Sequence, residues 1–136
     1  MGGGPLGGAP EHSPGFLALV ADARRRIREV TVADVERVRA VGEPVQLIDV
    51  REEEEWRRGH LPGARHLCKG IIERDIEQAV PDRDAHLILY CGGGFRSALA
   101  ADALQKMGYR HVVSMDGGWR AWTAAGLAVE REPRGA

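Results

Sequence analysis

Leu87-Ile88-Leu89-Tyr90-Cys91-Gly92-Gly93-Gly94-Phe95-Arg96-Ser97 is the stretch from which the fold can be read. Leu87 to Tyr90 is a short apolar run of the kind a strand buried on both faces requires. Cys91 ends it, three glycines follow, and Ser97-Ala98-Leu99-Ala100-Ala101-Asp102-Ala103-Leu104 resumes as a strong helix former. Strand, cysteine, glycine loop and helix in that order put Cys91 at the carboxyl end of a strand, where open α/β sheets bind their ligands. Gly92, Gly93 and Gly94 let successive N–H groups turn toward one point, and the helix N-terminus adds its partial positive charge there. A thiol so placed ionises more readily than a free one, which makes Cys91 a candidate nucleophile. A buried structural cysteine is the plainer reading of a lone Cys, and the glycines and Arg96 weigh against it.

Outward from this loop, strand and helix patterns alternate. Phe16 to Ile27 reads as an amphipathic helix with Phe16, Leu19 or Val20, Ala23 and Ile27 on its apolar face, and Arg24 to Arg26 as a solvated helix end. Glu29 to Thr31 predicts a short strand. Thr31 as N-cap with Asp34 three residues on predicts a helix from Val32 to about Ala40, stopped by Gly42. Val45 to Val50 is the next strand, and it runs into Asp49-Val50-Arg51, where a carboxylate at a buried strand tip calls for a cationic partner. Glu52 to Arg58 is a charged helical turn carrying Trp56. Arg65 to Leu67 gives a third strand, Ile71 to Val80 a helix, Ser97 to Met107 a helix capped by Gly108, and His111 to Met115 a fifth strand. This alternation predicts an α/β class with a parallel sheet.

The 136 residues suit one domain with a sizeable core. Residues 1–14 read as a flexible Gly/Pro-rich leader, 15–129 as the domain, and 130–136 as a loose charged tail. Met1-Gly2 does not continue as a myristoylation signal, because position 6 is Leu6. With 19 basic and 20 acidic residues, neither a nucleic-acid nor a membrane-surface partner is indicated, and no apolar run is long enough to span a bilayer. Cys68 and Cys91 make no disulfide framework, and a reduced cytoplasmic setting suits a reactive thiol. No metal is indicated, since neither cysteine has a CxxC partner and the five histidines are scattered, and no cofactor is implied.

Asp49-Val50-Arg51 followed by Glu55-Trp56-Arg57-Arg58-Gly59-His60-Leu61-Pro62-Gly63-Ala64 resembles the first signature of the rhodanese (sulfurtransferase) family. Asp116-Gly117-Gly118-Trp119-Arg120-Ala121-Trp122 resembles the second, and the Cys91 loop lies between them in the expected order. The resemblance covers roughly Phe16 to Val129 and implies a rhodanese-like fold, a twisted five-stranded parallel sheet with helices on both faces. It further implies that Cys91 takes a sulfane sulfur from a small-molecule donor such as thiosulfate, holds it as a persulfide, and passes it to cyanide, a thiol or a protein thiol. Gly92, Gly93, Gly94, Phe95 and Arg96 would then bind the substrate.

Loop length bears on the nearest rival. Related phosphatases and arsenate reductases of this fold have five residues between cysteine and arginine. Here only Gly92, Gly93, Gly94 and Phe95 separate Cys91 from Arg96, and no acidic residue is obviously placed as a leaving-group acid. A non-catalytic binding module is the other alternative. Arg96 has two candidate roles, holding an anionic donor or pairing with a carboxylate such as Asp49. Ser97 is expected to cap the helix rather than serve the sulfur. Trp56, Trp119 and Trp122 are expected in the core, and His60 and Pro62 in structural roles. The neutral Gly92 and Gly93, with the acidic Glu52 to Glu55, predict weak attraction for a doubly charged donor. Cys68 reads as an ordinary buried cysteine, with resolution of the persulfide as its functional alternative.

Overall fold

A computed structural model describes residues 12–131. In chain order the elements are α1 (Pro14–Arg24), β1 (Arg28–Val30), α2 (Val32–Ala40), β2 (Val45–Asp49), α3 (Glu53–Arg58), β3 (Arg65–His66), α4 (Ile72–Ala79), β4 (His86–Tyr90), α5 (Phe95–Lys106), β5 (His111–Met115) and α6 (Gly118–Ala124). The five strands form one sheet in the order β1-β5-β4-β2-β3, with every neighbouring pair parallel. This is the α/β architecture expected from the alternation.

Period-two burial explains why the sheet carries helices on both faces. Leu87 and Leu89 of β4 join Ile48, Ile72, Ile76, Ala100 and Leu104 in one cluster, under α4 and α5. Ile88 and Tyr90 join Leu47, Val35, Met115 and Trp122 in the other, under α2 and α6. Leu87 to Tyr90 are all buried, as the apolar run requires. The predicted α2 holds to the residue, because its start is a local capping box: Thr31 Oγ1 accepts from the Asp34 N–H and Asp34 accepts from the Thr31 N–H.

The order of strands positions the site. From β2 the chain crosses to β3 on one side, and from β4 it crosses to β5 on the other. The carboxyl ends of these two adjacent strands therefore face a topological switch point, the usual place for a ligand crevice. The segments that leave them carry Arg51 and Glu55 on one side and Cys91 on the other.

The described chain is ordered beyond the expected domain at both ends. The first helix begins at Pro14, inside the expected leader, with the Ser13 side chain accepting from the Phe16 N–H. Pro at the first helical position and Ser before it make this start a local matter too. At the other end Glu130 exchanges backbone hydrogen bonds with His60, so the chain is still tied down one residue past the expected domain end. The rest of the expected leader, residues 1–11, and of the expected tail, 132–136, lies outside the described residues. None of the helices among the described residues is long and apolar enough to cross a membrane.

Candidate functional site

Cys91 follows the last residue of β4 and is 1% exposed, at the floor of a cavity of about 400 Å³. His12, Ser13, Phe16, Gly93, Phe95, Arg96 and Arg120 complete the lining. Three groups converge on the sulfur. The N–H of Gly94 donates to Sγ at 3.2 Å and that of Ser97 at 3.3 Å, while the Ser97 hydroxyl stands 3.5 Å away. That hydroxyl is itself hydrogen-bonded to Ser114 Oγ at 2.8 Å, and both serines are fully buried.

These contacts set the acidity of the thiol. Burial pushes the Cys91 pKa up, but the Ser97 hydroxyl and the N–H groups of Ser97, Gly94 and Gly93 outweigh it. The pKa comes to rest below the ordinary cysteine value. Ser97 is thus not the cap of α5. Gly94 occupies that place, with φ of 101°, and Ser97 stands one turn in with its hydroxyl turned to the sulfur. The helix begins two residues earlier than Ser97 because Gly94 supplies the left-handed conformation that starts it.

Two of the loop glycines lie under arginine side chains, and the third has a backbone conformation that favours glycine. A Cβ on Gly92 would come within 3.1 Å of Arg96 Nη2, and one on Gly93 within 2.9 Å of Arg120 Nη1. At Gly94 the positive φ alone disfavours any side chain. A fourth glycine, Gly118, seals the arrangement from the other side. A Cβ there would lie 2.3 Å from the Cys91 carbonyl oxygen, and φ is 53°. Its absence lets the start of α6 lie on the loop, where the Trp119 N–H donates to the Cys91 carbonyl at 2.8 Å and the Arg120 N–H to the Gly92 carbonyl at 3.0 Å. Sequence reasoning took this segment as a signature without finding its task, which is to clamp the loop carbonyls from behind.

Arg96 lines the cavity and also pairs with a carboxylate, but that carboxylate is Glu55 rather than Asp49. Its guanidinium makes two hydrogen bonds to Glu55, of 2.9 and 3.1 Å. The Arg96 contact holds Glu55 below the usual carboxylate range. Asp49 is already taken: Arg51 binds it through Nε and Nη2, and Nη2 also reaches the Gly59 carbonyl. This pair is buried, 0% and 3% exposed, and Arg51 lies over the Trp119 and Tyr90 rings. Asp49-x-Arg51 is thus a structural brace between β2 and the turn at Gly59.

Of the tryptophans, only Trp122 is buried in the core. Trp56 is half-buried and stacks on His60 at 3.4 Å between ring centroids, while Trp119 packs at the edge of a core cluster. The Arg24–Arg26 segment is engaged within the chain: Arg24 with Glu29 and the Gly94 carbonyl, Arg25 with Asp22, and Arg26 with Asp22 and Asp102. Cys68 is half-buried, with Sγ 3.5 Å from a Glu52 carboxylate oxygen, and burial together with that carboxylate raises its pKa. Residues on both sides of the loop were missed from sequence: His12 and Phe16 from the N-terminal wall, and Arg120 from α6. His12 stacks on Phe95 at 4.5 Å, a contact across the fold that no local pattern announces. Among the described residues no cluster of His, Cys, Asp and Glu is arranged to hold a metal.

Comparison with known proteins identifies the family and the fold. The sequence model of the rhodanese-like domain matches residues 31–125. The chain is 37% identical over 81 residues to the thiosulfate sulfurtransferase GlpE of Shewanella oneidensis, covering 60% of this chain and 78% of that one. It is 33% identical over 81 residues to the putative sulfur carrier protein YrkF of Bacillus subtilis, of which it spans only 43%. Among solved structures, a Rhodopseudomonas palustris protein of unknown function, described as a possible tyrosine phosphatase, superposes with a TM-score of 0.77 at 32% identity. The match covers 90% of this chain and all of that one.

Proposed function

The chain belongs to the rhodanese-like domain family, and from that premise we propose that it is a sulfurtransferase working through a Cys91 persulfide. In the first half-reaction the Cys91 thiolate attacks the outer sulfur of a donor such as thiosulfate. The donor S–S bond breaks, its electron pair leaves on sulfite, and Cys91 carries the extra sulfur. In the second, cyanide or a thiolate, small or on a protein, takes the terminal sulfur, and the electron pair of the breaking bond returns to Cys91. The observation that carries this reading is the convergence of the Gly94 and Ser97 N–H groups and the Ser97 hydroxyl on Cys91 Sγ. Such pre-oriented donors favour a negative sulfur without having to reorganise. Gly93, Phe95 and Arg96 line the cavity in which the donor would sit, Gly94 reaches the sulfur through its N–H, and Gly92 is not among the lining residues. Reduced thiols at Cys68 and Cys91 fit a cytoplasmic setting.

The name given to the R. palustris neighbour raises phosphatase chemistry as the second reading. Four residues lie between Cys91 and Arg96, and no Asp or Glu lines the cavity among the described residues. A leaving-group acid is therefore missing where a phosphatase needs one. Intact-protein mass spectrometry after incubation with thiosulfate, and separately with 3-mercaptopyruvate, tests the proposal. The expected result is a gain of one sulfur, reversed by cyanide and absent in a folded Cys91→Ser variant. Sulfur gain retained in that variant, or turnover of an aryl phosphate by the wild type, overturns it.

A further inference from the structure

Among the described residues, the arginines at the cysteine loop have, with one exception, their charge matched inside the chain. Arg96 is held by Glu55, and Arg24 by Glu29. In the acidic run beyond Arg51, Glu53 pairs with Arg57, Glu54 with Arg58 and Glu55 with Arg96, while Glu52 faces the Cys68 thiol. Arg120 is the exception. Its side chain lines the same cavity as Cys91 and takes part in none of the ion pairs among the described residues, although Asp116 stands four residues before it.

Arg120 is exposed, and its backbone is tied to the cysteine loop. The Arg120 N–H donates to the Gly92 carbonyl at 3.0 Å. Its Nη1 lies 2.9 Å from the point where a Cβ on Gly93 would stand. The guanidinium therefore fills the space over the loop that a basic side chain at position 93 would otherwise occupy. The Phe95 ring flanks the same point, with its Cδ2 3.7 Å from it, and continues as an aromatic wall: Phe95 lies 6.2 Å from Phe16 between ring centroids and 4.5 Å from His12, and Arg24 covers its face at 4.8 Å. The cavity thus sets a planar fork of N–H donors, unpaired among the described residues, beside an aromatic wall backed by Arg24.

We propose that Arg120 binds the anionic end of the molecule that reacts at Cys91, a sulfonate-type oxyanion or a carboxylate, and so selects negatively charged sulfur donors. A guanidinium fork matches either group through paired hydrogen bonds. The proposal rests on Cys91 being the nucleophile of the site. It reverses the expectation of weak anion attraction drawn from the neutral loop, because the charge arrives from α6 instead of from the loop itself.

The test uses three thiol reagents of one reactive type: methyl methanethiosulfonate, which is neutral, and its 2-sulfonatoethyl and 2-carboxyethyl relatives. In each case the Cys91 thiolate attacks the sulfenyl sulfur, a mixed disulfide forms, and methanesulfinate leaves with the electron pair of the broken S–S bond. Rates are followed by mass spectrometry on the peptide bearing Cys91, so that Cys68 does not enter the signal. Arg120→Ala is expected to lower the ratio of anionic to neutral rate constants about fivefold to tenfold, as the loss of one partly screened charge pair implies. The neutral reagent should change little, and Arg120→Lys should restore part of the ratio. A larger effect on the sulfonate points to a sulfur oxyanion as donor, and a larger effect on the carboxylate points to an organic one. A ratio unchanged by Arg120→Ala, or an equal fall for all three reagents, overturns the proposal, and so does a Cys91 inert to all of them. None of these readings needs sulfur transfer. A protein that shows the charge ratio but gains no sulfur would keep the anion subsite and lose the sulfurtransferase reading.

Discussion

Replacing Ser97 by alanine removes the hydroxyl to which the Cys91 thiol donates, and which donates in turn to the thiolate, and leaves the two N–H groups in place. A hydrogen bond to a charged group contributes about 1.5–3 kcal/mol, and the 3.5 Å separation argues for the lower end. About 1.4 kcal/mol is tenfold in the ratio of thiolate to thiol. A more basic thiolate is also a better nucleophile, and a Brønsted slope of about 0.4–0.5 returns roughly threefold of that loss. The net expectation is a pair of pH–rate profiles that cross. On the acid limb Ser97→Ala reacts about threefold more slowly than wild type, and on the alkaline plateau about threefold faster. Stopped-flow reaction with a neutral pyridyl disulfide, in a Cys68→Ala background, reads both limbs. A profile that falls by the same factor at every pH would mean displacement of the sulfur, and an unmoved profile would mean that the hydroxyl does nothing for the thiolate. Either result refutes the reasoning.

The same variant has a stability signature. The folded thiol is more acidic than the unfolded one, so wild type gains stability as pH rises from the folded pKa toward the unfolded value. It loses that contribution as pH falls through the folded pKa. Ser97→Ala narrows this window. It also leaves the buried Ser114 hydroxyl without its partner, at a cost of about 1–3 kcal/mol that does not depend on pH.

Two further outcomes follow from buried contacts. Arg51→Met strands the buried Asp49 carboxylate and should cost about 3–5 kcal/mol in urea unfolding. Asp49→Leu with Arg51→Met should recover most of it, short of the Gly59 carbonyl that loses its partner, and a double variant as unstable as the single one would contradict this account. Gly118→Ala forces a Cβ against the Cys91 carbonyl at a positive φ, so a loss of about 3 kcal/mol or more and a slower Cys91 thiol are expected. Unchanged thiol kinetics there would show that α6 does not hold the loop.

What the sequence made legible is what local chemistry decides. Thr31 and Asp34 give the start of α2 because both members of the capping box lie within one turn. The run from Leu87 to Tyr90 gives the central strand because four consecutive apolar residues have no other way to be buried on both faces. Pairings across the fold are not local. Glu55 and Arg96 are 41 residues apart, and nothing in the charged run from Glu52 to Arg58 singles out Glu55 over its neighbours. Ser97 was misread for a related reason: serine near a helix start is usually a cap, and only the position of Gly94 shows that the helix has already begun.

The glycine loop shows how a correct local reading can still be incomplete. Read from sequence, three glycines in a row have one purpose, a backbone cup for negative charge. In the fold, the cup over the sulfur is made by the N–H groups of Gly94 and Ser97 and the Ser97 hydroxyl. Gly92 and Gly93 leave room for two guanidinium groups, Arg96 from α5 and Arg120 from α6. A neutral loop is therefore compatible with a cationic cavity, because the absence of side chains on the loop is what admits charge from elsewhere. Arg96 arrives already neutralised by Glu55, whereas Arg120 has no ion-pair partner among the described residues. The two arginines should then separate in function, with Arg96 fixing the shape of the wall beside the sulfur and Arg120 setting which charge is drawn to it.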